Sequence, residues 1–512
     1  MALDTNCTGR LLPVQFFIPC CLALAGALSE TPPAGPNIVF VLADDLGYAE
    51  LGCFGSESIR TPHLDRLAHE GMRFTRHYAG DAVCAPSRCV LLTGLHTGHA
   101  HVRDNSGAHR KNNPHGEGQV PLPAETPTLA RLLQQQGYAT GAFGKWGLGG
   151  PGESGEPHLQ GFDEFFGYLC QAQAHNHYPD HLWHNGKRVE AGNRVFSAHQ
   201  KIERAPDSSD DWDTYQGQTY APDLFIERAE AFIRDNADQP FFLYYPSAIP
   251  HVALQVPDED LEAYPTDWDK KPYLGGKGYL PHPRPRAAYA AMITHLDAEV
   301  GRLMKVIDEE GLSQNTLFIF TSDNGPSYAG GSDSKFFGST GNLRGLKGSL
   351  YEGGLRVPLI AHWPGTVPAG TASERVCAFQ DFLPTLCSLA GADYPEGLDG
   401  VDLSGTLRGR PARLARRPPL YWELGRRQAL LDGRWKWVRQ SSRKGVVTEE
   451  LFDLESDPRE GTNIALERPK VLVAMRALAT AQRSPSELFP SPFDEEAPSK
   501  DDSKDDSKDD SD

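Results

Sequence analysis

Four short runs of apolar residues punctuate the chain, and each gives way to polar or charged residues. The run at 38–42 leads into Asp44-Asp45, and 138–143 into Gly144-Lys145. The run at 241–245 leads towards Pro250-His251, and 317–321 into Asp323-Asn324. Runs of this length without alternation are expected of strands buried on both faces. Between them, helical patterns span 128–136, 221–236 and 286–310. Strands alternating with helices predict an α/β fold, a large and mostly parallel mixed sheet flanked by helices.

An Arg- and Pro-rich break at 408–419 precedes a different pattern. Leu420-Tyr421-Trp422-Glu423, Gln428-Ala429-Leu430-Leu431 and Trp435-Lys436-Trp437-Val438 read as strands, with a hairpin turn at Asp432-Gly433. Glu449-Glu450-Leu451-Phe452-Asp453-Leu454 follows, then a helical pattern over 469–482. This predicts a small C-terminal antiparallel sheet with a packed helix. The expected organisation is a main domain over 36–410, a smaller one over 418–485, and an acidic low-complexity tail over 490–512.

The polar residues fall where an α/β sheet binds its ligands, outside the carboxyl ends of the strands. Any one of Asp44, Asp45, Lys145, His251, Asp323 and Asn324 would pass as a helix cap or turn residue. Four strand ends bearing acids, an amide, an amine and an imidazole point to one convergent site. Asp44, Asp45, Asp323 and Asn324 offer only oxygen, which selects a hard cation, Ca²⁺ or Mg²⁺. Zinc would call for clustered His or Cys, and none accompanies these acids.

The net charge is −18, which argues against nucleic acid as a partner. An anionic substrate would have to be caught by a local positive site. Arg10 and the interrupted apolar stretch at 11–28 read as an export signal ending near 27–29, at the small residues Ala25-Gly26-Ala27. The stretch is short for a span, and no other segment reads as membrane-inserted. Without the signal, six cysteines remain. Cys377 and Cys387 would pair in an exported protein, or the thiols would stay free and buried. The single Asn-x-Ser/Thr sequon, Asn6-Cys7-Thr8, lies in the signal, which suits a periplasmic or secreted bacterial protein.

The most specific motif is Cys84-Ala85-Pro86-Ser87-Arg88, continuing as Cys89-Val90-Leu91-Leu92-Thr93-Gly94. A Cys near an Arg reads on chemistry alone as an activated thiolate. The whole stretch, however, resembles the signature of the sulfatase family, Cys-x-Pro-x-Arg followed by a Leu-Thr-Gly helix. The resemblance covers roughly 36–482 and implies an alkaline phosphatase-like fold. It implies that a maturation enzyme oxidises Cys84 to formylglycine, whose hydrate attacks the sulfur of a sulfate ester. The substrate alcohol leaves, and sulfate is then released as the aldehyde reforms. It further implies that Asp44, Asp45, Asp323 and Asn324 hold one divalent ion, usually calcium. Arg88, Lys145 and Lys347 would clamp the anion, and His251 or Lys347 would supply the leaving group's proton. Glu352 and Arg356 are read as a structural pair.

At one place the chain departs from the family. Where similar sulfatases read Gly-Lys-x-His, this one reads Gly144-Lys145-Trp146-Gly147. His175 or His177 is expected to reach into the room left by Gly147. Arg103 and Asn105, in a His- and Arg-rich stretch past the nucleophile, are expected to line the substrate pocket, with Tyr178 and Trp183 as candidates to stack on a ring. The expected substrate is a sulfated carbohydrate of galactose or N-acetylgalactosamine type. The competing readings are a phosphate or phosphonate monoesterase of the same superfamily, a glycan-binding protein without activity, and a thiol enzyme using Cys84 directly.

Overall fold

A computed structural model describes residues 35–106, 116–206, 208, 212–410 and 417–494. The segment read as an export signal and the repeats of the acidic tail lie outside the described residues. A ten-stranded sheet organises the rest. Its order is Thr371–Ser373, Met72–Phe74, Leu359–His362, Thr316–Ser322, Asn37–Ala43, Phe241–Pro246, Ala139–Lys145, Glu164–Tyr168, His181–His184 and Lys187–Glu190. The central five, from Thr316–Ser322 to Glu164–Tyr168, are mutually parallel; Leu359–His362 and the last two run antiparallel to their neighbours. The sheet is therefore mixed, as expected.

The strand Asn37–Ala43 shows why these apolar runs form the centre. Ile38, Phe40 and Leu42 point to one face, and Val39, Val41 and Ala43 to the other. All are essentially without solvent exposure. Each large side chain so buried contributes roughly 1.5–3 kcal/mol. On the first face pack the helices Cys84–Thr93, Leu129–Gln135 and Phe382–Ala390; on the second, Pro62–Glu70, Ala221–Asp235 and Pro285–Glu309.

Parallel register aligns the strand ends. Ala43 pairs with Ser322, and Leu42 with Pro246. Asp44, Asp323 and the segment leading to His251 therefore emerge side by side. The next strand over ends in Lys145.

The C-terminal sheet runs in sequence order, Leu420–Leu424, Arg427–Asp432, Trp435–Ser441 and Val447–Asp453, antiparallel throughout. The turn at Gly433 has φ 63°. One face, with Trp422, Leu431 and Phe452, packs on Tyr78, Leu350 and Leu355. The other, with Tyr421, Leu430 and Trp437, receives Met475 and Ala479 from the helix Pro469–Ala481. Trp422 Nε1 donates to Ala79 O at 2.9 Å, just upstream of the Cys84 helix. Among the described residues, no helix is long and apolar enough to cross a membrane.

Candidate active site

Cys84 is the first residue of a ten-residue helix whose every side chain is buried. Asn105 Oδ1 accepts from Ala85 N at 2.8 Å, satisfying a backbone donor that the helix start leaves open. Ser87 Oγ accepts from Gly80 N at 3.0 Å and ties the preceding loop down. The thiol thus sits at the positive end of a helix, facing the carboxyl edge of the sheet.

Three side chains meet the sulfur. Asp44 Oδ1 lies 3.4 Å away, Lys347 Nζ 3.5 Å and Lys145 Nζ 3.7 Å. Lys145 also donates to Asp44 Oδ2 at 2.5 Å, and Lys347 lies 2.7 Å from Asp45 Oδ1. Arg88, one turn along the helix, sends Nη2 to Asp323 Oδ2 at 2.8 Å and its other arm to Lys145 O. Asp45 N donates to Asp323 Oδ1 at 3.1 Å, and Asn324 Nδ2 to Asp45 Oδ1 at 2.8 Å. The backbone of Lys347 is fixed in turn by its N–H on Pro326 O at 3.0 Å.

Three carboxylates and three cations are thereby packed around one thiol, all buried except the partly accessible Lys347. Burial alone would raise Asp44, but Lys145, then Arg88 and Lys347, hold it at about 2. Asp323 is pushed up to about 6 by burial and by Asp44, against the pull of Arg88. Burial alone would lower Lys347, but Asp45, with Cys84, Asp44 and Asp323 adding to it, holds it protonated well above its usual range. Burial, with Asp323 and Asp44 alongside, drives the Cys84 thiol up, away from thiolate character. The lysines do not reverse this, so the reading of Cys84 as an activated thiolate is not supported here.

His251 completes the ring, with Nε2 3.6 Å from Asp45 Oδ2. Its Nδ1–H donates to Val252 O at 2.5 Å, leaving Nε2 to face the site. Burial, then Lys347 and Lys145, lower it well below the ordinary histidine range. One feature of the oxygen cluster fits a cation: Asn324 Oδ1 is buried without a hydrogen-bond partner among the described residues. Together with Asp44, Asp45 and Asp323 it supplies the oxygen donors a hard divalent ion takes.

The other expected residues divide. His177 is buried and donates Nε2–H to His251 O at 2.8 Å, so it holds the histidine in place. His175 stacks face to face on His251, with centroids 4.8 Å apart and planes within 5°. Neither fills the room beside Gly147. That room holds the Gln171 amide: a Cβ on residue 147 would fall 1.8 Å from Gln171 Nε2, and the backbone there has φ 97°. Glycine is required on both counts.

Arg103 is not on a pocket rim. Its guanidinium is buried on Ala100 O, Glu423 Oε1 and Ser484 O, at 2.9, 3.1 and 2.9 Å, and ties the loop after the nucleophile helix to the C-terminal sheet. Tyr178 and Trp183 are buried too, and Trp183 Nε1 donates to Glu117. Cys377 and Cys387 are both free thiols, and Cys377 lies 3.3 Å from His77 Nδ1 instead. Glu352 and Arg356 lie 3.7 Å apart, with Glu352 also bound to Lys436 and Tyr78. Sequence reasoning missed Gln171, whose neighbours in sequence carry no signal. It also missed Tyr279, whose ring lies 5.8 Å from that of His251 and for which the glycine-rich stretch Gly275-Gly276-Lys277-Gly278 was the available cue.

Comparison with known proteins agrees with this geometry. The family model described as Sulfatase matches residues 36–392, and that described as N-sulphoglucosamine sulphohydrolase, C-terminal, matches 346–481. The chain belongs to the sulfatase family and is a sulfuric ester hydrolase. It is 33% identical to human arylsulfatase A over 498 residues, covering 89% of each chain. It is 31% identical to N-acetylgalactosamine-6-sulfatase of Rattus norvegicus, covering 86% of this chain and 80% of that one. Among solved structures, Ps i-CgsB in complex with k-i-k-neocarrahexaose superposes with a TM-score of 0.69 at 28% identity, over 88% of this chain and 93% of that one.

Proposed function

We propose that the protein removes sulfate from a carbohydrate, with a galactose- or N-acetylgalactosamine-type sulfate as the substrate class, using a nucleophile made from Cys84. The observation that carries this reading is the thiol itself. Cys84 lies under a converging set of cations and acids, yet its surroundings disfavour the thiolate. A site built around a sulfur held away from its thiolate form suits a residue that is converted before use. Oxidised to formylglycine by a maturation enzyme, and hydrated, position 84 supplies a hydroxyl nucleophile.

The side chains then take distinct roles. Lys145 and Lys347 face the sulfur of Cys84 and would hold the oxygens of the transferred group. Arg88 anchors Asp323 and Asp44. Lys347, protonated beside the sulfur, would supply the proton to the departing alcohol oxygen, and His251, whose Nδ1–H is held by Val252 O, faces it through Nε2 as an acceptor. Asp44, Asp45, Asp323 and Asn324 would hold one hard divalent ion, calcium or alternatively magnesium, which would draw electron density from a sulfate oxygen. The three acids and three cations cancel formally, so such an ion leaves the site positive for an anionic substrate.

The carbohydrate assignment draws on relatives. One is an N-acetylgalactosamine-6-sulfatase, and one solved structure holds a neocarrahexaose. Export to a periplasm or the exterior, which the sequence at 11–29 suggests, would place the enzyme among sulfated polymers. The test is sulfate release, followed by ion chromatography, from 4- and 6-sulfated galactose and N-acetylgalactosamine after coexpression with a maturation enzyme. Release from at least one of them is expected. Turnover of phosphate or phosphonate esters alone would overturn the reading.

A further inference from the structure

Beyond His251, a line of rings climbs out of the site. His251 is buried, His175 is half-buried and His199 is exposed. His175 lies flat on His251 and shares a ring-nitrogen hydrogen bond with His199, Nδ1 to Nε2 at 3.0 Å. Tyr279 touches all three, with centroids 5.8 Å from His251, 5.2 Å from His175 and 4.7 Å from His199. Its own backbone is unusual, with φ 68°, a region that aromatic residues seldom enter. Such strain gathers at ligand clamps. The loop that imposes it is pinned at its base by paired backbone bonds between Tyr273 and His282, both 2.9 Å.

Nothing in the core accounts for this arrangement. The Tyr279 hydroxyl makes no hydrogen bond among the described residues. The residue lies in the field of Lys347, Asp45 and Cys84, close to the reacting group. The hydrogen bond between His175 and His199 needs one imidazole to accept, so the pair does not carry two positive charges. The wall is thus largely apolar in its faces and wet only at its outer end.

Resting on the reading of the site as a carbohydrate sulfatase, we propose that Tyr279, His175 and His199 form the subsite for the sugar ring next to the scissile sulfate. An uncharged pyranose presents flat patches of C–H bonds that suit such ring faces, while its hydroxyls reach the outer imidazole nitrogens. Tyr279 is the specificity-determining residue: like His175 it contacts every other ring in the line, and it is the member whose backbone is held at positive φ to do so.

The experiment compares wild type with Tyr279→Ala, Tyr279→Phe and His199→Ala, using the best sulfated monosaccharide as substrate and inorganic sulfate as inhibitor. KM should rise about tenfold in Tyr279→Ala and His199→Ala with kcat little changed, the loss typical of one missing pocket contact. Tyr279→Phe should restore the wild-type KM, and inhibition by sulfate should be equal in all four proteins. An unchanged KM in His199→Ala, which is exposed and safe for folding, would overturn the subsite. So would a Tyr279→Phe that fails like alanine. A wild-type enzyme that releases sulfate from no sugar would instead remove the underlying reading, a result distinguishable from either.

Discussion

Two buried charge clusters, one around Cys84 and one around Lys436, differ in how they close. Around Cys84, three acids and three cations converge on a sulfur, and the amide oxygen of Asn324 has no hydrogen-bond partner among the described residues. Behind it, Lys436 is fully buried between Glu352 Oε1 at 2.8 Å and Glu460 Oε1 at 3.0 Å. Tyr78 donates to Glu352 at 3.0 Å, Arg356 stands 3.7 Å off, and Glu352 N donates to Glu460 Oε2 at 2.7 Å. Each charge in this second cluster has an opposite charge within it, and it joins Tyr78 and the short helix Glu352–Leu355 to the C-terminal sheet. The first cluster holds its charges around a reacting atom with donors to spare. Burial of charge is common to both; convergence on one nucleophilic atom marks the proposed working site.

The largest effect should separate the clusters outright. Cys84→Ala should lower turnover by at least about ten-thousandfold, as loss of a nucleophile does, without lowering the urea midpoint. Lys347→Ala should cost about 100- to 1000-fold in kcat, the scale of one lost transition-state cation, again with stability little changed. If either variant unfolded the protein, the site cluster would be structural as well, and the comparison would fail.

Lys436→Met should do the reverse. It strands two buried carboxylates and should destabilise the fold by about 3–5 kcal/mol, read by urea denaturation. The folded fraction should retain wild-type kcat. A stable but inactive Lys436→Met would place this cluster in the catalytic machinery.

A smaller effect tests the unpartnered donors. A cation bound only by the folded protein, supplied at a hundred times its Kd, should stabilise it by about 2.7 kcal/mol. Calcium added to chelator-treated protein should therefore raise Tm, and Asn324→Ala together with Asp323→Ala should abolish the rise. An equal rise in the double variant would put the ion elsewhere.

The smallest effect is in pH. Glu460 is pushed up to about 7 by burial, with Lys436 opposing. Its folded pKa exceeds its unfolded one, so its contribution is fully present below about 4.5 and is lost as pH rises through about 7. Within that window stability should fall by up to about 1.4 kcal/mol per pH unit. Urea midpoints of Glu460→Gln should be flatter than wild type across this range, and an identical slope would exclude Glu460 as the source.

Much of the site was legible because parallel strands end together. Asp44, Lys145, His251 and Asp323 each follow an apolar run, and the register of the central strands brings their ends to one edge. Lys347 was legible only through its motif, since it lies on a loop far from any strand end. Arg103 was misread because its partner, Glu423, is distant in sequence and sits on another sheet. A charged residue in a polar stretch looks exposed until that sheet packs on it. Gln171 was invisible for a similar reason: the glycine at 147 announces a space, but only the fold says what enters it. The helices at 221 and 285 were found within a residue of their ends, because both carry long apolar stripes and a proline in the first turn.

The central claim is that the sulfur at position 84 is replaced before the enzyme works. The direct measurement is the mass of the peptide spanning Cys84, taken from a preparation whose sulfate-ester turnover has been recorded. The account predicts the aldehyde at position 84, in proportion to activity across preparations with and without the maturation enzyme. Full activity from protein carrying only the unmodified thiol would contradict it.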